Sequence, residues 1–291
     1  MLSILIPVYN YNVLELVTEL VKQCDLCGIN FEILCQDDAS NSKENIQNQE
    51  INSFSNCSFF ANEINLGRGK NINSLARKAK YDWLLILDCD TFPSNNNFIQ
   101  NYISALSESA NIIFGGIIYE DKRPSNEKLL RWIYGKERET SALLSSNLLI
   151  KKDIFLQYPF DESITKYGYE DLVFFSVLKK NHFEIIRIQN PTFHLGLETS
   201  EQFLNKTKTA LDNLVSLYNS NKINASESKI IKVFELLKKL KLIHLSNLLF
   251  KKNKTKIEQN LLSQKPSLFL FDIYKLGYFC FLHSSKILNS Y

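Results

Sequence analysis

Asp88-Cys89-Asp90 stands directly after the unbroken apolar run 83–87 and sets two carboxylates across one intervening residue. Carboxylates are hard oxygen donors suited to Mn2+ or Mg2+, and such ions commonly keep few protein ligands and fill their shell from substrate phosphates and water. The same triplet could equally be a strand end with two solvated acids. A second pair, Asp37-Asp38, follows the apolar run 31–35. Its oxygens could accept hydrogen bonds from a nucleobase edge or a ribose hydroxyl; the alternative is an Asx-turn leading to a helix cap at Ser40. Glu170-Asp171 follows Tyr167-Gly168-Tyr169 and opens a helix-like stretch. An acid there could offset the helix dipole, or take a proton from an incoming hydroxyl as general base. His194 ends a strand-like segment, where a neutral imidazole is a candidate metal ligand. An isolated histidine is more often structural.

These groups need elements to position them. Residues 2–7 form an apolar run ended by Pro7 and followed by the polar loop Tyr9-Asn10-Tyr11-Asn12. Apolar residues at 13, 14, 16, 17, 20 and 21 repeat with the 3.6-residue period of an amphipathic helix. Runs at 31–35, 57–61 and 83–87 predict further strands, with a helix over 70–79. Unbroken apolar runs suit strands covered on both faces, and strand–helix alternation implies a mostly parallel sheet with helices on both sides. In such α/β sheets ligands bind beyond the carboxyl ends of the strands. The clusters at Tyr9-Asn10, Asp37-Asp38 and Asp88–Asp90 each follow a strand, so the topology draws them to one rim. Further along, 112–118 predicts one strand with 143–150 as its partner, 169–180 a helix, and 185–188 a short strand. From 201 onward the pattern is helical, over 203–217, 228–249 and 257–262, with Lys251-Lys252-Asn253-Lys254 as a basic turn. The expected organisation is a catalytic α/β domain over 1–200 and a helical C-terminal region over 201–291.

Charge divides along the same line. Residues 1–200 hold 19 Lys+Arg against 25 Asp+Glu, a net −6, whereas 201–291 hold 15 against 6, a net +9. An acidic region able to hold metal and a basic one able to meet anionic lipid or substrate suit different tasks. The opening Met-Leu-Ser-Ile-Leu-Ile-Pro has no basic leader and argues against a signal peptide. The apolar stretch 268–282 contains Asp272 and Lys275 and falls short of the ~20 residues a membrane span requires. The six cysteines form no zinc-type spacing pattern, which favours reduced, mostly buried thiols in a cytoplasmic protein.

In their order and spacing these motifs resemble the family 2 glycosyltransferases, whose GT-A fold binds nucleotide-sugars. The resemblance covers about residues 1–200. Leu5-Ile6-Pro7-Val8-Tyr9-Asn10 is similar to the family's opening strand and nucleotide-side loop, and Gln36-Asp37-Asp38-Ala39-Ser40 to its Asp-Asp-Gly-Ser motif with Ala39 in place of glycine. Asn65-Leu66-Gly67-Arg68 resembles the turn before the donor-flanking helix, and Asn73 matches an asparagine often found there; Ile72 stands where many members carry arginine. Asp88-Cys89-Asp90 fits the metal motif, while Phe160-Asp161-Glu162 and Gly168-Tyr169-Glu170-Asp171 resemble the acceptor-side segment, with Tyr169 where a second glycine is common. The resemblance implies that Asp37 or Asp38 reads the base, most often uracil, and that Asp88 faces ribose or sugar. It implies that Asp90, with Asp88 and His194 as further candidates, holds Mn2+ or Mg2+ on the diphosphate, and that Asp171, beside Glu170, is the base. The implied partners are a nucleotide-sugar donor and a glycan or lipid-linked glycan acceptor of cell-surface polysaccharide or glycolipid synthesis.

Other readings stay open on sequence. A sugar-phosphate nucleotidyltransferase would share the sheet, metal and nucleotide, but needs a glycine-rich basic loop after the first strand, where this chain has Val8-Tyr9-Asn10-Tyr11-Asn12. A non-catalytic carbohydrate- or partner-binding module has little use for two separate acidic motifs. Nucleic-acid binding would place positive charge beside interleaved aromatics, whereas the C-terminal aromatics are spaced as a helix core. The basic clusters at Lys238-Lys239 with Lys241 and at Lys251-Lys252, with the aromatics Phe269, Phe271, Tyr274, Tyr278, Phe279 and Phe281, fit either peripheral contact with the inner face of the cytoplasmic membrane or a helical lid.

Overall fold

The apolar runs become strands, and the polar segments after them come out together. The computed structural model describes residues 1–107 and 110–288. The strands are β1 (Leu2–Val8), β2 (Phe31–Asp37), β3 (Cys57–Ala61), β4 (Trp83–Ile86), β5 (Thr91–Pro93), β6 (Ile112–Phe114), β7 (Ile117–Ile118), β8 (Leu148–Lys151), β9 (Ile186–Arg187) and β10 (Thr192–His194). The helices are α1 (Leu14–Cys27), α2 (Glu44–Asn48), α3 (Arg68–Lys78), α4 (Phe98–Ala105), α5 (Leu129–Tyr134), α6 (Lys152–Gln157), α7 (Glu170–Lys180), α8 (Ser200–Asn219), α9 (Lys229–Lys239), α10 (Ile243–Leu261) and α11 (Leu268–Leu288).

Seven strands form one sheet in the order β3-β2-β1-β4-β8-β6-β9, in which β8 alone runs antiparallel to its neighbours. Every residue of β1 and β2 is buried, as expected of strands covered on both faces. Side chains alternate across the pleat: Leu2, Ile4, Ile6 and Val8 join the core that includes α1 and α4, and Leu5 joins the core that includes α3 and α7. Register then sets the rim. Val8 lies opposite Asp37, and Leu5 opposite Ile86, so β1, β2 and β4 release their chains on the same side.

The single strand expected over 112–118 is two. β6 stays in the large sheet, while β7 joins β10 and β5 in a three-stranded sheet. Gly115 marks the break: a Cβ there would lie 2.5 Å from the Asn147 side-chain nitrogen and 2.5 Å from the Asn190 carbonyl oxygen, an approach that only glycine permits.

The chain divides into two compact units. The first comprises Met1–Glu120, Glu137–Thr165 and Phe174–Gly196, and contains both sheets. The second comprises Asp121–Lys136, Lys166–Val173 and Leu197–Tyr291. Within it, α8 starts on a capping box in which Thr199 Oγ1 accepts from the Gln202 amide. The helix expected over 228–249 is instead interrupted between α9 and α10 at Leu240–Leu242, where Lys241 takes a left-handed conformation (φ 58°). The expected basic turn at 251–254 lies inside α10, its lysines on a continuous helix. The C-terminal aromatics also differ from the membrane-anchor expectation. Phe271, Tyr274 and Phe279 are buried, and Phe271 and Tyr274 form a core with Leu130, Leu204, Phe250 and Leu261. Helical spacing on α11 turned them to the core, and only Phe269 of the six is exposed.

Candidate active site

Asp90 and His194, far apart in the chain, meet through the small sheet. β10 runs antiparallel to β5 with His194 opposite Thr91, and the Leu195 amide donates to the Asp90 carbonyl at 2.8 Å. His194 Nε2 lies 3.4 Å from Asp90 Oδ2. Two residues of this neighbourhood carried no readable signal. A Cβ on Gly196 would lie 2.7 Å from Asp90 Cβ and 2.9 Å from its Cγ, so glycine is what lets the chain pass the carboxylate. Tyr119 stacks on the His194 ring at 5.4 Å between centroids, and its hydroxyl donates to Glu139.

The other acid of the triplet faces a different partner. Asp88 Oδ1 accepts from Arg68 Nε at 3.0 Å and Nη2 at 2.6 Å, while Arg68 Nη1 donates to Ser145 Oγ at 2.7 Å. The Asp88 amide in turn donates to Ser146 Oγ. A three-ligand set of Asp88, Asp90 and His194 is therefore not gathered, and among the described residues no group of three or more His, Cys, Asp and Glu side chains is arranged to hold a metal. The donor chemistry still fits an ion: the carboxylate suits Mn2+ or Mg2+, the imidazole beside it suits the transition metal Mn2+ better than Mg2+, and the remaining positions are left to phosphate and water. Between the two acids, Cys89 is half-buried, and desolvation pushes its thiol well above the ordinary range with Asp90 adding to the effect; no thiolate is offered there at neutral pH. Burial, and then the charge of Asp90, likewise raise the Tyr11 phenol. All six cysteines are free thiols.

Asp37 and Asp38 are both buried, and both already accept hydrogen bonds. Asp37 Oδ2 takes the Ser40 amide at 2.9 Å and Oδ1 the Ser40 hydroxyl at 2.6 Å. Asp38 Oδ1 takes the Asn62 side chain and the Leu66 amide, and Oδ2 takes the Gly67 amide at 2.8 Å. Asp38 thus pins the turn that launches α3. Asn65 belongs to that turn, donating to the Asp38 carbonyl and accepting from the Gly67 amide. Pro7 sits inside β1, and Tyr9 is exposed just beyond it. Asn73 lies elsewhere: it is buried, donates to the Phe160 carbonyl and Glu162, and accepts from the Phe160 amide, so it fastens α3 to the 160–162 segment. The same contact, with Arg77, holds the Glu162 carboxyl below its ordinary range. Ile72 is fully buried in the core that includes α3.

Where the chain replaces glycine it keeps a glycine-like backbone. Ala39 has φ 56°, and Tyr169, after Gly168 at φ 97°, has φ 67°. The left-handed conformation is thus retained at both positions at a local steric cost. Glu170 and Asp171 open α7 in the second unit.

A mostly parallel α/β sheet, with acidic groups gathered beyond its strand ends and a carboxylate–imidazole pair among them, defines the GT-A class of nucleotide-dependent transferases. The model of glycosyl transferase family 2 matches residues 3–180, and the chain belongs to that family. It is 29% identical over 233 residues, 73% of this chain and 75% of the other, to a Haemophilus influenzae protein described as an uncharacterized glycosyltransferase. Its fold is similar to that of the Pyrobaculum calidifontis mannosyltransferase PcManGT, solved with GDP-Man and Mn2+ (TM-score 0.59, 10% identity, 99% of this chain and 86% of the other). It is also similar to the Mycobacterium tuberculosis glucosyl-3-phosphoglycerate synthase, solved with Mn2+, UDP and glucosyl-3-phosphoglycerate (TM-score 0.51, 14% identity, 74% and 79%).

Proposed function

We propose that this chain transfers a sugar from a nucleotide-sugar, a UDP-sugar foremost, to an acceptor hydroxyl with inversion, on a glycan or lipid-linked glycan of cell-surface polysaccharide or glycolipid synthesis. The observation that carries the reading is the Asp90–His194 pair at the sheet rim, 3.4 Å apart, beside the Arg68–Asp88 ion pair. The two structural relatives were each solved with a nucleotide together with Mn2+, which supports the same donor chemistry. Asp90 and His194 would hold Mn2+ or Mg2+. When bound, the ion neutralises charge on the leaving diphosphate as a Lewis acid. Asp37 or Asp38 reads the base edge, and Asp88 faces ribose or sugar, oriented by Arg68. Pro7, Tyr9, Asn65 and Gly67 build the wall on the nucleotide side.

Asp171, beside Glu170, accepts the acceptor's proton as its oxygen attacks the anomeric carbon. One C–O bond forms while the bond to the diphosphate oxygen breaks, the nucleoside diphosphate leaves, and a single displacement inverts the anomeric centre. Residues 1–200 carry this chemistry. The basic helical region 201–291 brings the enzyme to a lipid-linked acceptor at the inner face of the cytoplasmic membrane. Incubating the purified chain with UDP-, GDP- and dTDP-sugars in Mn2+ tests the reading. It expects turnover of one nucleotide class and a product anomer, read by NMR, opposite to the donor's; no turnover of any sugar nucleotide, or retention, contradicts it.

A further inference from the structure

The second unit carries an exposed apolar edge unlike any other part of the described chain. Leu236 and Leu240 on α9 and its end are 54% and 56% exposed, and Leu245, Leu248 and Leu249 on α10 are 50%, 54% and 54% exposed. Val233, Leu236 and Leu240 recur at three- and four-residue spacing on the side of α9 away from buried Ile231 and Phe234. Leu245, Leu248 and Leu249 do the same on α10, away from buried Phe250, Ile257 and Leu261. The two stripes flank, in chain order, the elbow of Lys241 and Leu242, whose side chains are also exposed. Large exposed apolar residues elsewhere, such as Leu26, Ile46 and Ile64, are dispersed on other elements and need no explanation. A run of leucines along one edge does.

Charge identifies the occupant. Residues 228–256 contain nine lysines and a single acidic residue, Glu235, which already accepts from the Tyr218 hydroxyl. Lys229 and Lys232 continue the α9 stripe behind its leucines, and Lys252 and Lys256 continue the α10 stripe. Lys251 and Lys254 lie over the rings of Phe281 and Tyr278 and so lean towards the helical core. A second copy docked through the same edge would bring like charge against like, whereas an anionic bilayer offers acyl chains to the leucines and phosphates to the lysines. Among the described residues no helix is long and apolar enough to cross a membrane, which suits an edge lying in the interface. We propose that the α9–α10 elbow docks on anionic lipid, with Leu236, Leu240, Leu245 and Leu249 immersed and the flanking lysines on the headgroups. This deepens, and rests on, the reading of a lipid-linked acceptor, and it moves the contact from the α11 aromatics to the leucine edge.

Co-sedimentation of the full chain with vesicles tests it. The wild type binds vesicles of equal parts phosphatidylcholine and phosphatidylglycerol at low salt, binds phosphatidylcholine alone weakly, and loses binding as salt rises. Replacing Leu236→Ser, Leu240→Ser, Leu245→Ser and Leu249→Ser together weakens anionic binding at least tenfold while circular dichroism is unchanged. Leu245→Trp, which keeps the edge apolar should the fourfold variant misfold, shows fluorescence quenched by brominated lipid; Leu26→Trp does not. Absence of wild-type binding at low salt, an unaltered affinity in the folded fourfold variant, or an unquenched Trp at 245 overturns the proposal. So does a dimer in sedimentation velocity that the same four substitutions dissolve. Turnover of a nucleotide-sugar with a soluble acceptor, followed in the same variants, keeps the two readings apart. Docking without turnover by the wild type refutes the transferase reading alone, and turnover without docking refutes the edge alone.

Discussion

Asp90 owes its position to a neighbour with no side chain. Gly196 passes within 2.7 Å, measured from the Cβ it lacks, of Asp90 Cβ, so Gly196→Ala must push the carboxylate off His194 without any conflict of backbone φ. Groups that orient metal ligands typically contribute 10–100-fold in affinity. Gly196→Ala is expected to weaken Mn2+ binding about tenfold, read by electron paramagnetic resonance on the folded variant, and to lower the melting temperature by a few degrees as the crowded Asp90 shifts. Ala39 gives a test of the opposite kind. Its left-handed backbone costs a residue with a Cβ about 1–2 kcal/mol, part of which glycine returns through chain entropy. Ala39→Gly therefore raises the melting temperature by about 2 °C, and Ala39→Val lowers it. The types and order of Asp37, Asp38, Asp88, Asp90 and His194 were legible in the sequence. Tyr119, Ser145 and Gly196 were not, because each reaches the site through strand pairing or side-chain contact distant in the chain. The fastening role of Asn73 was hidden for the same reason: its partners are at 160–162.

At the scale of elements, strands buried on both faces were readable from unbroken apolar runs, and β1 and β2 follow their runs closely. The three-residue strand β5 was not, since so short a segment carries no period of its own and forms only by pairing, whereas β10 showed as the strand-like segment ending at His194. The break between α9 and α10 has no glycine or proline to announce it; Lys241 takes the left-handed turn instead. Elements of the second unit are also tied together at His283, which is buried against Phe234, Tyr218 and Phe279. Burial, and next the nearby Lys238, hold its pKa below the ordinary value, so the folded state favours neutral imidazole. The stabilisation is complete above the unfolded value of about 6.5 and is lost as pH falls below it, because the unfolded chain binds the proton more readily. Thermal unfolding followed from pH 7.5 to 5.5 should show a smaller fall for His283→Phe than for the wild type; equal falls would refute this role.

For the whole molecule, the charge split of −6 over residues 1–200 and +9 over 201–291 follows from residue types alone and is the basis of the proposed division between chemistry and placement. The two compact units do not divide the chain at one point, since 121–136 and 166–173 group with the C-terminal helices. Glu170 and Asp171 fall in one of those interleaved segments, which a linear reading of composition has no means to detect. The proposed split of labour predicts a split in kinetics. Asp171→Asn should bind UDP with near-normal affinity by calorimetry while turnover falls ~10²-fold or more, the scale of general-base catalysis; normal turnover would pass the role to Glu170 or another group. The central claim is that Asp90 serves a metal-held sugar nucleotide. Turnover of the preferred nucleotide-sugar, measured side by side for the wild type in Mn2+, the wild type in EDTA and Asp90→Ala in Mn2+, tests it most directly. Activity in the first alone is the predicted result, and full activity in EDTA or in Asp90→Ala would contradict it.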